Sequence, residues 1–239
     1  MKTPKDRLIA ALDVDSQDEA MAAVARLDGA LQWVKVGARL FSAAGPSVVT
    51  LLKQEGLKVF LDLKFHDIPA TVASSCQNAV VTGAEMMNVH ALGGRDMMAE
   101  GAKAAREAAR KAGDHAPIVI AVTVLTSMGQ EDVRQLGVNK TVEELALILA
   151  SGAKAAGLDG VVASAHEVGA IKAALGSDFI VVTPGIRPAW ASADDQKRIM
   201  TPAEALRQGA DYLVVGRPIF SAKNPKEAAL RTLEEMDGA

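Results

Sequence analysis

Short apolar runs alternate with longer amphipathic segments along the whole chain. The runs are Leu8 to Val14, Trp33 to Gly37, Lys58 to Leu63, Met86 to His90, Ile118 to Thr123, Gly160 to Ala163, Phe179 to Thr183 and Tyr212 to Val215. Their length and their Val, Ile and Leu content predict strands. Several intervening segments open on Ser, Thr or Asn followed three residues later by Glu: Ser16 with Glu19, Thr141 with Glu144, Ser164 with Glu167, Thr201 with Glu204 and Asn224 with Glu227. That spacing satisfies backbone amides left open at a helix start. In two of these segments Pro202 and Pro225 take the first helical position, where a missing N–H costs nothing. From Arg95 to Ala112 the helical period is plain, with Met97, Met98, Ala102, Ala105, Ala109 and Ala112 on one side and Asp96, Glu100, Lys103, Glu107 and Arg110 largely opposite. Gly113 supplies the stop.

Eight such units, with no Pro-, Gly- or Ser-rich linker between them, predict an α/β protein: one (β/α)8 barrel domain over residues 1–239. Near-continuous apolar strands fit a sheet buried on both faces. The alternative is a doubly wound open sheet. Against it, the first turn, Asp13-Val14-Asp15-Ser16, lacks the GxGxxG that brings backbone close to a pyrophosphate, and no Walker A loop occurs.

Composition narrows the function. With 239 residues and 49% apolar content there is ample material for a core, and 26 Lys and Arg nearly balance 29 Asp and Glu. A nucleic-acid binder needs surplus positive charge, so a small molecule is the expected partner. No apolar stretch has the length of a membrane span. The single cysteine, Cys76, permits neither an internal disulfide nor a CxxC metal site and suits a reducing compartment, so the expected location is cytoplasmic. Cys76 itself reads as an inert core residue.

In a barrel, polar residues at the C-terminal ends of the strands face the active-site mouth. The first strand ends in Asp13, the second carries Lys35, the fourth ends in His90, and the third runs Val59-Phe60-Leu61-Asp62-Leu63-Lys64-Phe65-His66-Asp67. Alternation at period two puts Asp62 and Lys64 on one face. Burying either charge alone costs several kcal/mol, so each must compensate the other, with Lys35 alongside. One Asp–Lys pair is equally well explained as a salt bridge closing the core. Lys35, Asp62, Lys64 and Asp67 at one mouth favour chemistry instead. His66, His90 and His166 show no metal-ligand spacing and read as structural.

The loops after strands seven and eight, where barrels commonly bind phosphate, carry Pro184-Gly185-Ile186-Arg187 and Gly216-Arg217. Either Gly-Arg pair alone reads more readily as a turn with a solvated charge, but two at the two expected positions point to a phosphate. Thr126 and Ser127 follow the fifth strand and suit hydrogen bonding to a substrate edge or a cap. The stretch from Arg187 to Met200 is long for such a loop, as lids are.

Asp62-Leu63-Lys64-Phe65-His66-Asp67-Ile68-Pro69-Ala70-Thr71, with Lys35, Pro184-Gly185-Ile186-Arg187 and Val215-Gly216-Arg217, closely resembles the orotidine 5′-phosphate decarboxylase family over essentially the whole chain. The DxKxxD motif is shared with metal-dependent sugar-phosphate enzymes of the superfamily, such as hexulose-phosphate synthase. Those relatives carry a magnesium-binding glutamate where Lys35 stands here. The resemblance therefore implies cofactor-free and metal-free decarboxylation of orotidine 5′-phosphate to uridine 5′-phosphate, the last step of de novo pyrimidine synthesis, by a homodimer with shared active sites. It implies that Lys64, Asp62, Asp67 and Lys35 are catalytic and that Asp13 and Lys35 touch the ribose. Thr71 would reach it from the other subunit, and Thr126 and Ser127 would face the pyrimidine. Gln196 would bridge phosphate and base, and Arg187, beside Pro184, would hold the phosphate with the Gly216 and Arg217 backbone. A metal-dependent sugar-phosphate lyase and a non-catalytic barrel that only binds a nucleotide are the alternatives.

Overall fold

The computed structural model describes residues 3–191 and 200–238. Among them, parallel strands in the order β1 to β8 close into a barrel: β1 Leu8–Leu12, β2 Trp33–Gly37, β3 Lys58–Phe65, β4 Met86–His90, β5 Ile118–Val122, β6 Gly160–Val162, β7 Ile180–Thr183 and β8 Tyr212–Val215. The expected (β/α)8 barrel is therefore the observed one, with no strand end differing by more than two residues. β1 stops short of Val14 because the Asp13 N–H turns back to the Ala11 carbonyl, 3.2 Å away, and leaves the ladder. β3 runs on past Leu63 because Phe65 pairs again with Val89 after an irregular stretch.

Side-chain alternation divides the core in two. Ile9, Ala11, Trp33, Phe60, Met86, Ile120, Val182, Tyr212 and Val214 fill the barrel interior. Their neighbours in sequence, among them Ala10, Val34, Leu61, Met87, Ala121, Val181, Leu213 and Val215, pack outward against the helices. The Tyr212 ring stands edge-on to Trp33, with centroids 5.7 Å apart, near the N-terminal end of the barrel.

All five Ser/Thr/Asn–Glu pairs mark helix starts. Thr141 and Thr201 form reciprocal boxes, each hydroxyl accepting from the Glu144 or Glu204 N–H and each carboxylate accepting from the cap N–H. The helix Arg95–Ala112 has the predicted bounds and buries Met97, Met98, Ala102, Ala105 and Ala109. Ala112, in its last turn, is exposed, because the helix has by then run past the sheet it covers. Gly113 ends the helix with φ +74°, the left-handed conformation a C-terminal glycine adopts at little cost. Cys76 is fully buried, and burial pushes its thiol up to about 12, which disfavours the reactive thiolate.

At the N-terminal end of the barrel, charge is structural. Glu85, Asp159 and Asp211 immediately precede β4, β6 and β8, and each accepts the first free N–H of the preceding strand, from Val59, Val119 and Val181 respectively. Each carboxylate also pairs with a helix cation: Lys53, Arg106 or Lys172. Because those acids are committed to closing the bottom, the charges at the other end are the ones left for chemistry.

Candidate active site

Inward parity continues upward from the core layer: Trp33 leads to Lys35, Phe60 to Asp62, and Met86 to Asn88. Three adjacent strands thus put polar groups at the C-terminal mouth. Lys35 Nζ lies 3.1 Å from Asp13 Oδ1 and 3.3 Å from Asp62 Oδ2, and Lys64 Nζ lies 2.7 Å from Asp62 Oδ1. The result is a row of alternating sign, Asp13, Lys35, Asp62, Lys64, in which each inner member touches two opposite charges. That arrangement is what makes the burial of Lys35, 9% exposed, tolerable. The outer members are freer, with the Lys64 side chain 38% exposed, so its ammonium can face a ligand while Asp62 holds it.

A cavity of about 270 Å³ opens over this row, close to the lower end of the roughly 300–1,000 Å³ typical of small-molecule sites, so it fits one small metabolite. One wall is the charged row. The facing wall is apolar, formed by Val122, Val124, Val162 and Val214, and suits the face of a planar ring. Pro184, Gly185, Arg187, Gly216 and Arg217 close one end, and Thr126 lines the cavity beside Leu125. Gly185 has φ +77°, which a side chain would strain, and it lets the chain turn over the mouth. Arg187 is 5% exposed, and its N–H donates to the Met200 carbonyl at 3.0 Å, so the two ends of the 187–200 loop are tied together. Gln196 lies outside the described residues.

Not every candidate reaches the cavity of its own chain. Asp67 and Thr71 are exposed and Ser127 is exposed beyond Thr126; none of the three lines it. Asp67 instead borders a separate shallow pocket with His66, Ile68, Pro69, Leu92 and Gly93, and its carboxylate accepts from the Ile68 N–H. His66 and His90 stack, with ring centroids 5.2 Å apart, which pins this loop to the end of β4. Burial, with the charges of His66 and Lys64, pushes His90 down, and its Nδ1 accepts from the Leu92 N–H as a neutral imidazole can. Neither ring lines the cavity.

Sequence reasoning missed two positions. Asn88 is fully buried and bonds both Asp62 and the Lys64 backbone. An amide inside the apolar run Met86 to His90 was the available signal. Gly37 leaves no such mark: a Cβ there would lie 3.0 Å from Lys35 Nζ, so the glycine makes room for the ammonium.

The model of the family described as orotidine 5′-phosphate decarboxylase / HUMPS matches residues 6–232. The chain belongs to this family. It is 52% identical over 235 residues to the orotidine 5′-phosphate decarboxylase of Syntrophotalea carbinolica, covering 98% of this chain and 96% of that protein. It is 50% identical over 234 residues to the enzyme of that name from Legionella pneumophila strain Corby, covering 98% of this chain and all of that one. Among solved structures, orotidine 5′-phosphate decarboxylase from Lactobacillus acidophilus superposes with a TM-score of 0.87 at 39% identity, covering 97% of this chain and 100% of that one. Relatives of that name match the chain end to end, which places it on the decarboxylase side of a family that also holds sugar-phosphate enzymes.

Proposed function

We propose that the chain is a carboxy-lyase that converts orotidine 5′-phosphate to uridine 5′-phosphate and CO2, supplying the pyrimidine nucleotide pool of the cytoplasm. The observation that carries this reading is the row Asp13, Lys35, Asp62, Lys64 facing an apolar wall in a cavity whose end is formed by Gly185, Arg187, Gly216 and Arg217.

Breaking the bond between C6 and the carboxylate leaves an electron pair in the plane of the pyrimidine, where the ring π system cannot delocalise it. Fixed positive charge beside C6 must then stabilise it. Lys64 supplies that charge and delivers the proton to C6, taking its own replacement from solvent. Asp62, lining the cavity beside Lys64, would stand near the departing carboxylate and disfavour the bound ground state. One charge contact at ~4 Å is worth about 4 kcal/mol at an effective dielectric near 20, against roughly 8–23 kcal/mol supplied by enzymes overall. The remainder comes from binding the phosphate and ribose, used to close the 187–200 loop and fix the row in place. In this scheme Asp13 and Lys35 bind the ribose, Thr126 and Ser127 the pyrimidine edge, and Arg187, with the Pro184–Gly185 turn and the Gly216 and Arg217 backbone, the phosphate. Gln196 bridges phosphate and base.

Magnesium does not fit this donor set. It takes oxygen ligands, and the place between Asp13 and Asp62 is filled by the Lys35 ammonium at 3.1 and 3.3 Å. The chain thus provides its own cation. Incubating purified protein with orotidine 5′-phosphate and excess chelator should discharge the substrate's ultraviolet absorbance at the untreated rate. Loss of turnover on chelation would turn the assignment toward a metal-dependent lyase, and binding without turnover toward a non-catalytic barrel.

The active form is a homodimer in which Asp67 and Thr71 complete the neighbouring site. Their exclusion from the cavity of their own chain supports this, as do the exposed apolar side chains beside them, Ile68 at 66% and Leu92 at 47%.

If remote binding energy drives closure, Arg187→Ala should raise KM for orotidine 5′-phosphate by roughly 10²-fold, the usual cost of a buried charge-assisted contact of about 3 kcal/mol. A truncated substrate lacking its phosphate should be turned over slowly by the native enzyme and faster when free phosphite is added. Steady-state kinetics with and without phosphite decide it; absence of any acceleration would refute the closure account.

A further inference from the structure

Asn88 is fully buried on β4, between Met87 and Val89, and does not line the cavity. Its Oδ1 accepts from the Lys64 backbone N–H at 2.7 Å. Its Nδ2 donates to Asp62 Oδ1 at 2.6 Å, the same oxygen that receives the Lys64 ammonium at 2.7 Å. The amide therefore holds the backbone of one member of the charged row and the carboxylate of the other.

The strand geometry shows why such a clamp is needed. β3 pairs with β4 as Phe60 with Met86 and Leu61 with Met87, and next as Phe65 with Val89. Asp62, Leu63 and Lys64 thus stand against Asn88 alone, two residues more than a regular ladder allows. Within this bulge Lys64 has φ +53°, in the left-handed region, which strains a non-glycine residue and persists only where its surroundings impose it. In an unbroken ladder the even residues of β3 face β2, as the Lys58 N–H does in donating to the Gln32 carbonyl; past the bulge the Lys64 N–H turns instead to β4, where the side-chain carbonyl of Asn88 accepts it.

We propose that Asn88 is a positioning residue: it holds Lys64 in its left-handed conformation and turns the Asp62 carboxylate, so that the ammonium is aimed at the reacting carbon. This rests on the reading of Lys64 as the proton donor. Both halves of the amide are required. Alanine provides neither partner, glutamine is a methylene too long for a filled barrel, and an ionised aspartate offers an acceptor but no donor. A protonated aspartate offers both.

That last distinction gives a test that a purely structural role would not pass. The ionisable groups facing position 88 are Asp62 and Lys64 of β3, with Lys35 beyond Asp62 and His90 two residues further along β4; the nearest inward residues of β5, Ile120 and Val122, are apolar. In Asn88→Asp, two carboxyls at hydrogen-bond distance cannot both ionise easily, so one proton is retained to above the ordinary carboxylate range. While it is retained the amide's bonding pattern is reproduced, and as pH rises through the raised pKa the pattern is lost.

The experiment measures kcat and KM for orotidine 5′-phosphate from pH 5.5 to 9, with uridine 5′-phosphate affinity by calorimetry, for the native protein, Asn88→Asp and Asn88→Ala. Asn88→Ala should lose about 10²-fold in kcat, the scale of a misaimed reacting group, with KM and product affinity nearly unchanged. Asn88→Asp should approach native kcat at the acid end and fall toward the alanine variant at the alkaline end, a descending limb the native enzyme lacks. A native-shaped profile for Asn88→Asp overturns the proposal, as does equal loss of kcat and product affinity in that variant. Should Asn88→Ala not fold, the near-isosteric Asn88→Asp decides alone. Failure of the native protein to decarboxylate the substrate would remove the parent reading and this one together; native turnover with unaffected variants removes only this one.

Discussion

Lys64→Ala should stop turnover while leaving the protein folded and able to bind product. General-acid delivery of a proton is worth roughly 10²–10⁴ in rate, and a fixed charge at a developing anion a further 10²–10³ or so, so the loss should be at least about four orders of magnitude. Folding should survive for a reason visible in the site. Without Lys64, Asp62 still has Lys35 Nζ at 3.3 Å and Asn88 Nδ2 at 2.6 Å, so no buried charge is stranded. The lost ion pair is partly exposed and worth no more than about 1 kcal/mol. Product affinity should persist because the cavity end formed by Gly185, Arg187 and Gly216 lies apart from the lysine. Lys64→Arg provides the contrast: it keeps a positive charge on a group that does not release its proton, so whatever rate it recovers belongs to electrostatics alone. Single-turnover absorbance decay and calorimetry with uridine 5′-phosphate give both numbers, and near-native turnover by Lys64→Ala would remove Lys64 as donor.

The second large effect is a recovery. Asp62 and Lys64 line the cavity of their own chain, whereas Asp67 faces away from it beside the exposed Ile68 and Leu92. If Asp67 serves the neighbouring site, the two halves of DxKxxD act in different sites. Lys64→Ala and Asp67→Ala should each be nearly inactive. In a mixed dimer, two-fold symmetry puts both defects in one site and leaves the other intact. Random mixing makes half the dimers mixed, so activity should return to roughly a quarter of native. Co-refolding the two variants and titrating their ratio checks this, with a maximum expected at equal amounts. A mixture as dead as its parents would assign Asp67 to its own chain.

What could be read along the chain, and what could not, divides by sequence distance. The eight strands, the five Ser/Thr/Asn–Glu helix starts and the Gly113 stop are legible because each is set by residues within one or two turns of each other: periodic burial, an N-cap, a left-handed cap. The fold class follows, since strands apolar on both faces require helices on the outside. Asp13, Lys35, Asp62 and Lys64 stand out too, because a charge in an apolar run must be compensated, and that constraint is visible without coordinates.

Only the tertiary structure decided how those charges are held. Alternation alone puts Asp62 and Lys64 on one face, but the bulge that gives Lys64 φ +53° comes from a register shift against β4. The Asn88 contacts span 24 and 26 residues and exist only once two strands are aligned to within one residue. The same holds for Gly37, whose missing Cβ matters because Lys35 Nζ lies over it, and for the clamps of Glu85, Asp159 and Asp211, whose strand amides lie 26 to 40 residues away along the chain. The sequence by itself determined which residues must be paired, because the cost of burying a charge or an open amide is a property of the group. Register and closure of the barrel decided which partner each one found, because that depends on where distant strands meet.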